Sequence, residues 1–456
     1  MFERTRSLIV ILALLPAAAG AQTAPRPDAD PRIEKIVASV SEQRMRELLT
    51  KLVSFGTRNT LSDQMSATQG IGAARNWILE EMRRSSEKLR VTFDTHIIPP
   101  QGRITRQVDL RNVMAILPGR TPRRIYVSGH YDSLNIGGQN RSNAATPGAA
   151  PAPAGSAPTR DDHDVSANGA NDDGSGTVLT MELARVFAES GIQFDATLVF
   201  ICWAGEEQGL IGSRAHTMDL AAQKIPVEAV FNNDIVGNSK GGNGVVDAES
   251  VRVYAIGPED SPARALARHI VKNAGIYVPS HRVRPMARED RFGRGSDQSS
   301  FTAEGYPAVV FREANENFAK QHGADDTIDG VDFGYLAQNA RVNVAGMAAL
   351  ALAPPAPKVT NDRGGNLLSR DPSGYDATMR WNASPGAVAY RVYWRDTWTN
   401  DWQHSQTIGN VTAFTLKNVS IDDFAFGVSA IGADGNESLV SSYVSPVRRD
   451  APLKKQ

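Results

Sequence analysis

One cysteine in 456 residues, Cys202, rules out an intramolecular disulfide and leaves no thiolate cluster for a structural metal. Charge of a single sign is missing as well. Against 49 basic side chains stand 50 acidic ones, a formal net charge of −1, and there is no long Lys/Arg run. Nucleic acid binding and docking to an anionic membrane both need a concentrated positive field, so neither is expected. No segment is apolar over the length needed to cross a bilayer, the run at 8–15 included. What is present is 41% hydrophobic residues in a chain long enough for two or three domains with sizeable cores.

The N-terminus has the form of an export signal, residues 1–21. Arg4 and Arg6 precede the apolar run, and Ala19-Gly20-Ala21 supplies the small residues a signal peptidase requires. Cleavage after Ala21 would leave a soluble mature chain, periplasmic or secreted, with no membrane partner. Downstream, helical patterns at 32–55, 70–84, 177–189, 262–274 and 335–352 alternate with strand patterns. The latter fall at 91–98, 112–117, 124–129, 196–203, 227–233, 251–256 and 307–311. This alternation predicts an α/β fold over 30–353, a doubly wound, mostly parallel sheet with helices on both faces. Residues 137–169 turn to Ala, Pro, Gly, Asn and Ser with almost nothing large and apolar, which predicts a mobile surface insertion.

Pro354-Pro355-Ala356-Pro357 is a stiff spacer, and the composition changes beyond it. Trp381, Trp394, Trp398 and Trp402 accompany short strand patterns at 378–381, 389–395, 413–416 and 424–431, predicting a small all-β sandwich over 358–449 with the aromatics in its core. This segment resembles a fibronectin type III domain, with Trp381 as the early core tryptophan, Tyr390-Arg391-Val392-Tyr393 as the central strand and 424–430 as the late one.

Five short motifs carry chemistry: Gly129-His130-Tyr131-Asp132-Ser133, the segment GANDDGSG at 169–176, Gly205-Glu206-Glu207-Gln208-Gly209, Asn232-Asn233-Asp234, and His322 in QHGADDT. Each alone has an ordinary explanation as a helix cap, a turn or a solvated edge. Together they do not, because His130, Glu206, Glu207 and Asp234 all fall at or just beyond predicted strand ends, which share one crevice in an open α/β sheet. In an extended chain Asp132 lies on the same face as His130 and can steer it. Two histidines and several carboxylates suit two zinc-like ions sharing a carboxylate and a water.

In order and spacing, the five motifs resemble the two-zinc exopeptidases that include secreted bacterial aminopeptidases and glutamate carboxypeptidase, over about residues 33–352. The resemblance implies two Zn2+ ions. His130 would bind one, Asp172 would bridge both, Glu207 and Asp234 would complete opposite sides, and His322 would bind the second. Glu206 would be the general base. It also implies a cis peptide at Asp172-Asp173 and a peptide substrate cut at its N-terminal residue. Gln321 stands where some relatives have an oxyanion-stabilising tyrosine, and Gln298 where many have a histidine; Gln321 and Tyr306 are the candidate replacement donors. A carboxypeptidase or dipeptidase would instead need a cation for the substrate C-terminus, for which Arg288, Arg291, Arg294 and Arg312 are available. Glutaminyl cyclases share the fold but use one zinc, and the presence of His130 speaks against them. A catalytically inactive receptor-like module is the remaining alternative, although no expected ligand position is lost.

Overall fold

A computed structural model describes residues 29–136, 163 and 165–444 of the chain. The expected signal peptide, most of the 137–169 insertion, and 445–449 of the expected sandwich lie outside the described residues.

The fold begins with two helices where the sequence pattern suggests one. Helix α1 (Pro31–Ala38) starts at the Asp30 cap with proline in its first turn, and α2 (Glu42–Val53) starts afresh at Ser41, whose hydroxyl accepts from the Arg44 amide. Helix α3 (Gly70–Ser85) leads into strands β1 (Arg90–Ile98), β2 (Val108–Leu117) and β3 (Arg124–His130). There follow α4 (Gly174–Glu189), β4 (Thr197–Trp203), α5 (Ile211–Ala222), β5 (Val227–Asn233), β6 (Ser250–Ala255) and α6 (Pro262–Tyr277). Strand β7 (Arg282–Met286), α7 (Gln298–Ala303), β8 (Ala308–Glu313) and α8 (Phe333–Leu352) complete this part.

The eight strands form one sheet in the order β1-β2-β4-β3-β5-β8-β6-β7. Its centre, β4-β3-β5-β8, is parallel, while β1 and β2 are antiparallel additions at one edge and β6 runs antiparallel to β8. Helices α1 to α4, α6 and α8 pack on one face and α5 and α7 on the other. That sandwiching explains why β4 and β5 read as continuous apolar runs rather than alternating ones. Helix α5, β7 and α7 escape sequence reading. Helix α5 carries His216, Thr217 and Ser213 on its buried side, so its apolar periodicity is weak.

After the proline spacer come two antiparallel sheets, β9 (Leu368–Ser369), β10 (Ala377–Arg380) and β13 (Ala413–Leu416) against β11 (Ala389–Asp396), β12 (His404–Ile408), β14 (Phe424–Ile431) and β15 (Ser441–Ser442). Trp381 packs on Tyr390 in their shared core. The expectation that the tryptophans cluster in that core holds for Trp381, which is buried in it, and in part for Trp394, which packs against it. Trp394 is half-buried and stacks on His404, Trp398 is 76% exposed, and Trp402 lies over the guanidiniums of Arg268 and Arg395. The β region is held to the α/β part by ion pairs, among them Lys272–Glu437, Arg32–Asp434 and the buried Arg395 with Asp260. Among the described residues no helix is long and apolar enough to cross a membrane.

Gly129 lets β3 approach α4. A Cβ there would lie 2.4 Å from the Gly176 carbonyl carbon and 2.7 Å from the Thr177 nitrogen. Gly129→Ala should therefore force the strand off the helix and cost about 1–3 kcal/mol. A denaturation midpoint equal to that of the parent would show that the contact has slack.

Candidate metal centre

The acidic and imidazole side chains converge at the C-terminal ends of the parallel strands. His130 is the last residue of β3, Glu206 and Glu207 occupy the loop after β4, and Asp234 follows β5 directly. Asp172 precedes α4, and His322 lies in the connection from β8 to α8. Asp172 stands between the two imidazoles: its Oδ1 is 3.3 Å from His130 Nε2 and its Oδ2 3.1 Å from His322 Nε2. Glu207 Oε2 is 3.2 Å from His322 Nε2, and Asp234 Oδ1 and Glu206 Oε2 are each 3.9 Å from His130 Nε2. Three ligand-like triads result, His130-Asp172-Asp234, Asp172-Glu207-His322 and His130-Glu206-Glu207, the first two sharing Asp172.

These atoms are close without being satisfied. His130 Nε2, Asp172 Oδ2 and Glu207 Oε1 are buried and have no hydrogen-bond partner among the described residues. A buried polar atom without a partner costs a few kcal/mol, so three of them on residues of these triads fit cation ligands. The nitrogen and oxygen donor set, without thiolate, fits zinc.

Neighbouring carboxylates pin this geometry by accepting backbone amides. Asp173 caps α4 at the Gly176 amide and also accepts from the amides of His130 and Ile235, so the cap reading of this motif holds for Asp173. The Asp172-Asp173 peptide bond is cis. Asp326 accepts from the amides of Asn171 and Asp172. Asp132 touches His130 in two ways. Its backbone carbonyl, 3.2 Å from His130 Nδ1, orients the imidazole, whereas its carboxylate lies 3.6 Å away and accepts from the amides of Glu206 and Glu207. His322 adopts φ +54°, a left-handed backbone uncommon for a histidine, as does Ile235 at +59° beside Asp234.

Two arginines essential to the arrangement have no sequence signal. Arg58 is fully buried and donates to the carbonyls of Tyr131, Asn168 and Gly169, tying the His130 loop to the approach to Asp172. Arg312, also fully buried, ion-pairs with Asp234 and Asp290. Arg291 pairs with Asp290 and Glu316, and Arg288 is exposed. Arg291 and Arg312 are thus committed inside the protein and do not face a substrate carboxylate. Among the described residues the Arg294 side chain bonds to the Gln321 Oε1 alone, at 3.1 Å. The Gln321 amide NH2 gives one of its two N–H donors to Glu316, and Tyr306 points to the Ile225 carbonyl.

Burial drives the protonation of the cluster. It raises Glu206 well above the usual carboxylate range, reinforced by Asp234, Glu207 and Asp297, and it raises Asp297 and Asp326 to about 7. Burial opposes charge on the imidazoles, yet Glu206, Asp132 and Asp172 hold His130 well above its ordinary value, and Glu207 and Asp172 bring His322 to about 10. Asp297, whose two carboxylate oxygens are buried without partners, is the one further acidic group beside Glu206 that motif reading leaves unassigned.

Residues 112–347 match peptidase family M28. A "Probable zinc metalloprotease" of Pyricularia oryzae is 38% identical over 454 residues, covering 90% of this chain and 84% of its own. Another, of Leptosphaeria maculans, is 36% identical over 449 residues, covering 91% and 97%. The crystal structure of the Legionella pneumophila LapA aminopeptidase has a similar fold, TM-score 0.52 at 20% identity over 73% of this chain and 78% of LapA. So has the Porphyromonas gingivalis glutaminyl cyclase, at 0.52 and 15%, over 68% and 98%. Close relatives of that description, together with the cluster at the strand ends, define a zinc peptidase. The chain belongs to peptidase family M28.

Protons and metal compete for these imidazoles. Because both are held protonated above their ordinary values, zinc uptake must release protons, so affinity rises with pH by about tenfold per unit for each proton displaced. Calorimetry in buffers of different ionisation enthalpy reads this directly; uptake without proton release would place the zinc elsewhere.

Proposed function

We propose that the protein is an exported aminopeptidase that hydrolyses the N-terminal peptide bond with two zinc ions and a glutamate base. The observation that carries this reading is the position of Asp172 between His130 and His322, with unpartnered buried atoms on His130, Asp172 and Glu207. His130, Asp172 and Asp234 would hold one ion, and Asp172, Glu207 and His322 the other. When bound, the ions supply Lewis-acid chemistry, polarising the scissile carbonyl and acidifying the attacking water.

The remaining work falls to the chain. Glu206 belongs to neither bridged triad, and its carboxylate lies beside His130 with its proton affinity raised by burial, which suits a group that takes a proton from water and returns it to the leaving amine. Asp132 holds Glu206 and Glu207 by their amides and so sets where both carboxylates can reach; its part is positioning rather than proton transfer. The excess of carboxylates favours an incoming α-ammonium. Carboxypeptidase action is the less supported reading, since Arg291 and Arg312 are internally paired. An inactive binding module is disfavoured because every ligand position is filled. The export signal at 1–21 supports a periplasmic or secreted location, and the two antiparallel sheets after residue 357 support a fibronectin type III-like appendage.

Glu206→Gln should keep both metals and lose a factor of about 100 to 10,000 in turnover. Full activity with metal content verified would remove Glu206 as the base. With a six-residue peptide, mass spectrometry should find the first residue released, and N-acetylation should abolish the reaction. Release of the last residue instead would establish the carboxypeptidase reading.

A further inference from the structure

The arginine cluster beside the metal centre contains one cation without an acidic partner. Arg252 pairs with Glu316, Arg291 with Asp290 and Glu316, and Arg312 with Asp234 and Asp290. Arg294, half-buried among them, makes no ion pair with any described residue, and its side chain's one hydrogen bond there is to the neutral Gln321 Oε1. A guanidinium carries five N–H donors in a planar fork, so most of its capacity is unspent. Burial works against its charge, Arg291 and Arg312 repel it, and Glu316 and Asp172 offset this from a distance.

The location gives that unspent capacity a use. Gln321 immediately precedes His322 in the chain, His322 Nε2 is 3.1 Å from Asp172, and Asp172 is among the charges that act on the guanidinium. Its own turn is held firmly, the Arg294 amide donating to the Arg291 carbonyl and Arg312 Nη2 donating to the Gly295 carbonyl. A half-desolvated, preorganised fork at the edge of a peptide-cleaving centre matches a carboxylate.

We propose that Arg294 receives a carboxylate of the bound peptide, so that the enzyme favours substrates carrying one close to the scissile bond. This rests on the peptidase reading above. Two sources share that chemistry: the free C-terminus of a di- or tripeptide, and an acidic side chain following the cleaved bond. The premise would fail separately, as absence of hydrolysis of any peptide.

The test compares Leu-Gly, Leu-Gly-amide and Leu-Asp-amide on the zinc-loaded wild type, Arg294→Gln and Arg294→Lys. The wild type should prefer at least one of the two carboxylate-bearing peptides over Leu-Gly-amide by about 10- to 100-fold in kcat/KM, the range of a charge-assisted pair. Which of the two is preferred identifies the source. Arg294→Gln should collapse the preference through KM, and Arg294→Lys should keep part of it. A wild type without preference, or an Arg294→Gln variant that loses kcat equally on all three peptides, overturns the proposal. Calorimetric binding of the same peptides to zinc-loaded Glu206→Gln protein, with and without Arg294→Gln, gives the same comparison without turnover. It stays decisive if hydrolysis is absent, equal affinities for all three again counting against Arg294.

Discussion

Asp172 and the two imidazoles flanking it set the electrostatic problem that the surrounding structure has to solve. Asp172, Asp173, Glu206, Glu207, Asp234 and Asp297 lie together out of water, and a low-dielectric interior makes such an excess of negative charge costly unless cations or protons meet it. Arg312 meets part of it at Asp234, and protonation meets another part, as the raised carboxyl groups show. Atoms of His130, Asp172 and Glu207 are left without partners, and a divalent ion would be the compact remedy.

The same carboxylates serve as fasteners. Asp173 joins the ends of β3 and β5 to the start of α4, Asp326 joins the His322 loop to Asp172, and Asp132 joins the end of β3 to the Glu206 loop. Each accepts amides that strand and helix ends leave open. Metal-facing and amide-facing acids therefore alternate, so that one fixes the backbone on which its neighbour is mounted. Arg58 and Arg312 add buried cations that reach across several loops at once.

The β region after residue 357 uses a different economy. Its core is small and aromatic, and its attachment to the α/β part rests on charged contacts such as Lys272–Glu437 and Arg395–Asp260 rather than on a continuous apolar interface. It meets the large domain along α6 and at the start of α1, on elements that do not carry the candidate ligand side chains.

The amino-acid sequence by itself determined the alternation of buried strands and amphipathic helices, because burial on one or both faces imposes a period on hydrophobicity along the chain. It also marked His130, Glu206, Glu207 and Asp234, because acids and histidines ending apolar runs are conspicuous locally, while Asp172 and His322 stood out through the resemblance of their motifs. The split of the first helix at Ser41, the weakly periodic α5, the turning of the Asp132 carboxylate toward two amides, and the engagement of Arg58, Arg312 and Gln321 were decided only in three dimensions. Arg58, Arg312 and Gln321 depend on partners between 5 and 111 residues away along the chain, and a long polar side chain carries no local sign of which distant carbonyl or carboxylate will meet it once the chain has folded.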